Sequence, residues 1–296
     1  MDNFDSIIES SVEKQQPQRL STEEWAAKKQ EERAKLYDMA ANMADKVFTD
    51  PQSLKKYLDV QARLGKTSVN NALLAAEQKP EASYLLSYED WQEKGRSVKR
   101  GEKAVMQLVA KGEYEREDGS MGVSMDAKRV FDISQTHGKP VSQRATMGMP
   151  MKSKLKALTH NTSVPIRMSD HVPQNAMYDA QKKEIRVARG LDGNTLIYSI
   201  ARELAHAEFD RKAPDDYEHH LYGFEADCAA YIACTRLGVE APLPSDIPYD
   251  LPERDTNYKK AVLNDVRDAA CSIHERTEQN LYEERRQQKN MDEQTR

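Results

Sequence analysis

Leu196, Ile197, Ile200 and Leu204 recur at three- to four-residue spacing between Thr195 and His206, which predicts an amphipathic helix carrying Arg202, Glu203 and His206 along its polar side. Were residue 202 a histidine, the pattern would read His-Glu-x-x-His. Two imidazoles four residues apart can ligate one zinc ion, and the glutamate between them can activate a metal-bound water for hydrolysis. Position 202 is arginine instead. A guanidinium has no lone pair to give a metal and stays protonated in proteins, so it repels the ion that an imidazole there would bind. Nineteen residues after His206, Glu225 lies in a second apolar-periodic stretch from Tyr222 to Tyr231.

The elements that must position these groups are legible upstream. Met177-Tyr178-Asp179 leads through polar residues to the alternating segment Glu184-Ile185-Arg186-Val187-Ala188, which reads as a strand before the helix. Strand, metal helix and a Glu225-Ala226-x-x-x-Ala230 helix, in that order, resemble the metallopeptidase-like domain of mobile-element and phage proteins. The resemblance implies that Glu225 is a third ligand and Glu203 the general base. With Arg202 in place of a ligand, only His206 and Glu225 remain as vestigial metal ligands, and Glu203 is a vestigial catalytic residue. The expectation is that Arg202 stands in for the ion and pairs with Glu225 or Glu203, holding two helices in register without chemistry. No cofactor is then expected. The alternative is an active zinc metallopeptidase in which His219 or His220, just before the Glu225 helix, replaces the lost imidazole. Asp227 and Glu208 could add oxygen ligands.

Composition narrows the rest. The chain has 296 residues, enough for two domains. A formal net charge of −5 means that any nucleic-acid surface must be local. The three cysteines, Cys228, Cys234 and Cys271, have no close-spaced pair, which suits a reducing compartment and excludes a cysteine-rich zinc module. There is no run of about 18 apolar residues and no secretory signal, so a cytoplasmic protein without membrane contact is expected.

Residues 1–20, polar and rich in Gln, read as a disordered leader. Ser21 and Glu24 form a capping box for a helix reaching Phe48. Thr49-Asp50-Pro51 opens a second helix ended by Gly65, and Thr67 or Ser68 caps a third from Val69 to Gln78. Between Lys94 and Lys111 six basic residues face one acidic residue, a local balance of +5 in an acidic chain. Tyr84, Tyr88 and Trp91 lie just before this run, with Trp91 expected in the core. Strands at 104–110 and about 122–131 flank Glu117-Asp118-Gly119-Ser120, a turn signal for a β-hairpin.

This region resembles the N-terminal domain of the ArdC-type antirestriction proteins of conjugative plasmids and the LtrC-like proteins of mobile elements. The matching residues are Ser68, Asn70, Leu73, Leu74 and Gln78; Trp91 with Gly95 and Arg96; Val98, Lys99, Gly101, Glu102 and Lys103; and the run Val130 to Thr136. The resemblance spans roughly residues 30–140 and implies single-stranded DNA binding. Arg96, Lys99, Arg100 and Lys103 are the candidate phosphate contacts, with Tyr84 and Tyr88 as candidate stacking rings.

The expected architecture is α+β: a helical and hairpin DNA-binding domain at 22–140, a linker at 141–164 with a short helix near Lys152 to Leu158, a zincin-like, mostly helical domain at 165–275, and a charged, frayed tail at 276–296. The function expected is that of a single-stranded DNA-binding protein of a mobile element, acting in conjugation or against host restriction. Direct inhibition of a host defence protein is the other reading.

Overall fold

The structure, a computed structural model, describes residues 21–116, 118–141 and 148–294. The expected disordered leader and the turn residue Glu117 lie outside them. The fold is α+β, as the sequence implies. Three helices come first: α1 (Thr22–Val47), α2 (Pro51–Leu64) and α3 (Val69–Gln78). Each begins where a side chain can satisfy free N–H groups. Ser21 and Glu24 form the reciprocal box on α1, Asp50 accepts from Gln52 and Ser53 on α2 with Pro51 in the first turn, and Ser68 accepts from Asn71 on α3. Gly65, at φ +69°, ends α2 in a conformation that costs a residue with a Cβ.

A short strand β1 (Leu85–Leu86), helix α4 (Tyr88–Glu93) and strand β2 (Arg96–Val98) lead into the hairpin β3 (Val105–Glu115) and β4 (Met121–Asp132), followed by β5 (Thr136–Gly138). The sheet order is β1-β4-β3, antiparallel throughout, with β2 and β5 pairing separately. The hairpin register shifts between Ala110 and Gly112. Strand β3 is an edge of its sheet, and α3 covers that edge. The Asn71 amide donates to Leu108 O at 2.9 Å and accepts from Leu108 N at 2.8 Å, while Gln78 does the same to Met106 at 2.9 and 2.8 Å. Two side-chain amides thus supply the ladder of a missing strand.

The second half opens with α5 (Met151–Thr159), then β6 (Ile166–Ser169), β7 (Ala176–Asp179) and β8 (Glu184–Ala188) in the order β6-β8-β7, β6 parallel and β7 antiparallel to β8. Helix α6 (Gly193–Lys212), a 3-10 turn at His219–Tyr222, α7 (Gly223–Leu237) and α8 (Thr256–Gln294) complete the chain.

Three expectations are corrected here. The two halves are not separate domains on a linker, because α1, α2 and α3 share one apolar core with α6, α7 and α8. Phe48 meets Phe224 with ring centroids 6.1 Å apart, the Tyr231 hydroxyl donates to Asp59 at 2.8 Å, and the Lys259 ammonium pairs with Asp45 at 2.7 Å. An apolar stripe shows that a helix is covered, not by what. The described part of the expected linker is also structural: Leu158 is fully buried, and Lys154 donates to Gly238 O, closing α7. Nor is the described part of the tail frayed. Helix α8 runs 39 residues, about 58 Å at 1.5 Å per residue, with Thr277 and Leu281 buried. Asn280 donates to Ala157 O and His160 O at the end of α5, both at 2.8 Å. One buried stripe is enough to order a helix whose other faces are charged.

Candidate functional site

Helix α6 starts at the Asp192 cap, which accepts from Asn194 and Thr195. Its apolar residues Ile197, Ile200, Ala201 and Leu204 are buried, and so are Glu203 and His206 on the side that the sequence marks as polar. Burying a carboxylate and an imidazole is costly unless each finds partners, so the contacts of these groups decide what the site can do.

Glu203 has three partners. Its Oε1 accepts from the Arg202 guanidinium at 2.8 Å, while Oε2 accepts from Tyr178 N on β7 at 2.7 Å and lies 2.9 Å from His219 Nε2. One carboxylate therefore ties together α6, the edge strand β7 and the 3-10 turn. Arg202 turns its Nε to Asp227 on α7 at 2.5 Å, and the Tyr198 hydroxyl donates to the same Asp227 oxygen at 2.9 Å. Burial works against the Arg202 charge, but Asp227 and Glu203 outweigh it and hold the guanidinium above its usual range.

His206 is fully buried. Burial, His219 and the Arg202 charge push its pKa well below that of a free imidazole, so the ring is neutral. Its Nδ1 lies 3.1 Å from the Tyr217 hydroxyl, and its ring stacks on His219 with centroids 3.7 Å apart and planes 19° apart. Its Nε2 is buried without a hydrogen-bond partner, as is Glu225 Oε2 on α7. Burial raises the Glu225 pKa to about 7, with Asp265 adding to the effect and its own backbone N–H opposing it.

Arg202 therefore pairs with Glu203, one of its two expected partners. It does not reach Glu225, and takes Asp227 instead. A hydrolytic ion at the corner defined by positions 202, 206 and 225 does not fit these residues. Arg202 offers only donors there, and the glutamate that would serve as base already accepts from three groups. Among the described residues, the donor atoms that lie within 4.8 Å of one another belong to Glu203, His206 and His219, a group that could hold a metal ion and that does not include Glu225. His220 points elsewhere, 3.5 Å from Glu218, and Glu208 pairs with Arg211 at 2.7 Å.

The basic run folds as a turn between β2 and β3. Lys94, Lys99, Arg100 and Lys103 are exposed. Among the described residues none of them forms an ion pair with a carboxylate. Lys99 reaches Ser134 O at 2.8 Å, and the Lys94 ammonium lies 6.0 Å from the Tyr84 ring centroid. Arg96 is different. It donates to Thr136 Oγ1 at 2.8 Å, to Thr136 O at 3.1 Å and to the carbonyls of Gly138 and Lys139, and it lies 5.8 Å over Trp91. Its guanidinium cements β2 to β5, which leaves little of it for a phosphate. Tyr84 is half-buried, edge-on to the buried Trp91 at 5.3 Å, whereas Tyr88 is 45% exposed. The structure thus separates the candidates: Lys99, Arg100, Lys103 and Tyr88 face outward, while Arg96 and Tyr84 serve the fold.

Asp227, Tyr198, Tyr178 and Tyr217 were not singled out in these roles by sequence. Tyr198 lies one helical turn before Arg202 and so had a spacing signal, whereas Asp227, two residues after Glu225 on another helix, had none. The Tyr178 N–H and the Tyr217 hydroxyl had none, because those contacts cross between elements.

The comparisons with known proteins agree with this architecture. Residues 56–152 match the N-terminal domain of anti-restriction factor ArdC, a range overlapping the roughly 30–140 of the sequence resemblance. No curated protein matches the chain by sequence. Two crystal structures of the antirestriction ArdC protein from plasmid R388 share the fold. The metal-free form is 17% identical with a TM-score of 0.54, over 83% of this chain and 98% of that one. The Mn(II)-bound form is 20% identical with a TM-score of 0.51, over 70% of this chain and 87% of that one. Residues 56–152 therefore match the ArdC N-terminal domain, and the chain shares the fold of ArdC over most of its length.

Proposed function

We propose that this chain is an anti-restriction protein of a mobile element that works by holding single-stranded DNA, and that its metallopeptidase-like half binds and scaffolds without cleaving. The observation that carries the first part is the exposed turn holding Lys99, Arg100 and Lys103, with the Tyr88 ring also exposed, in the region matched to the ArdC N-terminal domain. Single strands are held by cations tracking the phosphates and flat rings stacking on bases, and unpaired cations keep their full charge for that purpose. The test is the affinity of the full chain for an oligonucleotide of arbitrary sequence across a salt series. The expected result is a linear fall of log K with log salt, at about −0.7 per phosphate neutralised. No binding even in low salt removes the reading.

The second part rests on Glu203. A general base needs a water within reach, and this carboxylate is buried, with both oxygens engaged by Arg202, Tyr178 N and His219. Zinc-dependent cleavage of a polypeptide by the purified chain, abolished in Glu203→Ala, overturns it.

A further inference from the structure

The site that resembles a hydrolytic centre has lost the ligand at position 202, yet two imidazoles and a carboxylate converge beside it. We propose that Glu203, His206 and His219 form a displaced cation site that takes one divalent transition-metal ion and closes it off as a structural clamp. Glu203 changes from base to ligand, and His219 supplies the imidazole that position 202 no longer carries.

Four observations support this. The three donor atoms lie within 4.8 Å of one another, close enough for small side-chain rotations to bring them onto one ion. His206 Nε2 is buried and has no hydrogen-bond partner, an arrangement that costs about 1–3 kcal/mol in a site that serves nothing. Its Nδ1 meets the Tyr217 hydroxyl at 3.1 Å, the outer hydrogen bond that fixes a ligating imidazole in place. The Arg202 guanidinium, finally, divides its charge between Asp227 and Glu203 Oε1, and the Glu203 oxygen that meets His219 is the other one, Oε2.

The donor set, two imidazoles and one carboxylate, suits zinc and its neighbours rather than magnesium or calcium. A dication would replace the proton shared by His219 Nε2 and Glu203 Oε2, pinning the 3-10 turn His219–Tyr222 onto α6. Glu225 is left outside the triangle. The inference rests on the non-cleaving reading of this half but fails separately from it, since the experiment measures metal and not hydrolysis.

The full chain is stripped with a chelator and dialysed against Zn(II) alone and, separately, Co(II) alone. Bound metal is counted per chain, and the visible spectrum of the cobalt form reports nitrogen and oxygen coordination. The expected result is one ion per chain, retained in Glu225→Gln and weakened at least tenfold in His219→Asn and Glu203→Gln. His219→Asn keeps a donor toward Glu203, and circular dichroism of the stripped proteins confirms that it folds. Retention in His219→Asn with loss in Glu225→Gln would assign the ion to the ancestral corner and overturn the proposal. So would a parent chain that binds no metal at millimolar concentration.

Discussion

Asp132 and Glu225 are both carboxylic acids taken into the interior, one in each half of the molecule, and their surroundings differ in kind. Asp132 ends β4 with Oδ1 accepting from Ser83 N at 2.7 Å and Tyr84 N at 2.9 Å, and Oδ2 accepting from Ser134 N at 2.9 Å. Burial alone would raise its pKa, but these donors together outweigh burial and lower it. Glu225 has a buried oxygen with no donor, and burial dominates, carrying it to about 7. Depth does not set the state of a carboxyl; the count of N–H groups aimed at it does. The hairpin region is finished, with its carboxylate matched. The centre of the second half holds a buried carboxyl oxygen that no donor reaches.

Substitutions can break or sharpen this contrast. The largest effect is expected at Glu203, a buried carboxylate of the second half that is as well supplied with partners as Asp132. Glu203→Ala takes one of two carboxylates from a half-buried guanidinium and the acceptor from the Tyr178 N–H, and at about 1.5–3 kcal/mol for each hydrogen bond to a charged group should cost about 3–5 kcal/mol in urea unfolding. A loss under about 1 kcal/mol would mean that the three contacts are incidental.

Glu225→Gln should go the other way. A carboxyl whose folded pKa lies above its unfolded value contributes stability that is complete below the unfolded pKa and lost as pH rises through the folded one. With a folded value of about 7 the loss spans roughly pH 4.5 to 7, so the variant should match the parent near pH 4 and exceed it by up to about 3 kcal/mol above pH 7. Equal stabilities at pH 8 would show that Glu225 has a partner.

Asp132→Ala is expected to cost about 2–3 kcal/mol at neutral pH by uncovering several N–H groups. Because the folded pKa is lowered, that contribution is present above the ordinary carboxylate pKa of about 3.9 and lost as pH falls through the lower folded value. The difference between variant and parent should therefore shrink only in acid, the opposite slope to Glu225→Gln. The smallest effect is expected on the surface. Arg100→Ala with Lys103→Ala should leave unfolding within about 0.5 kcal/mol of the parent and flatten the salt dependence of oligonucleotide binding by about 0.7 per lost phosphate contact. Arg96→Ala, by contrast, should weaken the fold first, since its guanidinium ties β2 to β5.

Much of this was legible in the sequence. The first three helices are placed by Ser21, Asp50, Gly65 and Ser68, and the hairpin by its alternation and the Asp118-Gly119 turn, because those signals are local. The common core was not, since the stripe on α2 carries no mark of α7 as its cover. At the site, the chemistry of a guanidinium at position 202 sufficed to expect an ion pair. The choice of Asp227 over Glu225 depends on the relative rotation of α6 and α7, which spacing along one helix does not encode. Arg96 and Tyr84 read as ligand-facing because a basic or aromatic type does not reveal which carbonyl or ring it has already found.

The two amides on α3 carry a further consequence. A carboxylate at residue 71 or 78 could accept from the Leu108 or Met106 N–H, but it would then face the carbonyl oxygen of the same residue and be repelled by it. Only a group that gives and takes at once can stand opposite a strand. Because the two lie two helical turns apart and meet residues two apart on β3, they act as a gauge set from outside the sheet: a slip of one position would misalign both together. The hairpin is thus held in frame by a helix, and the basic turn at its foot keeps a fixed bearing on the rest of the molecule.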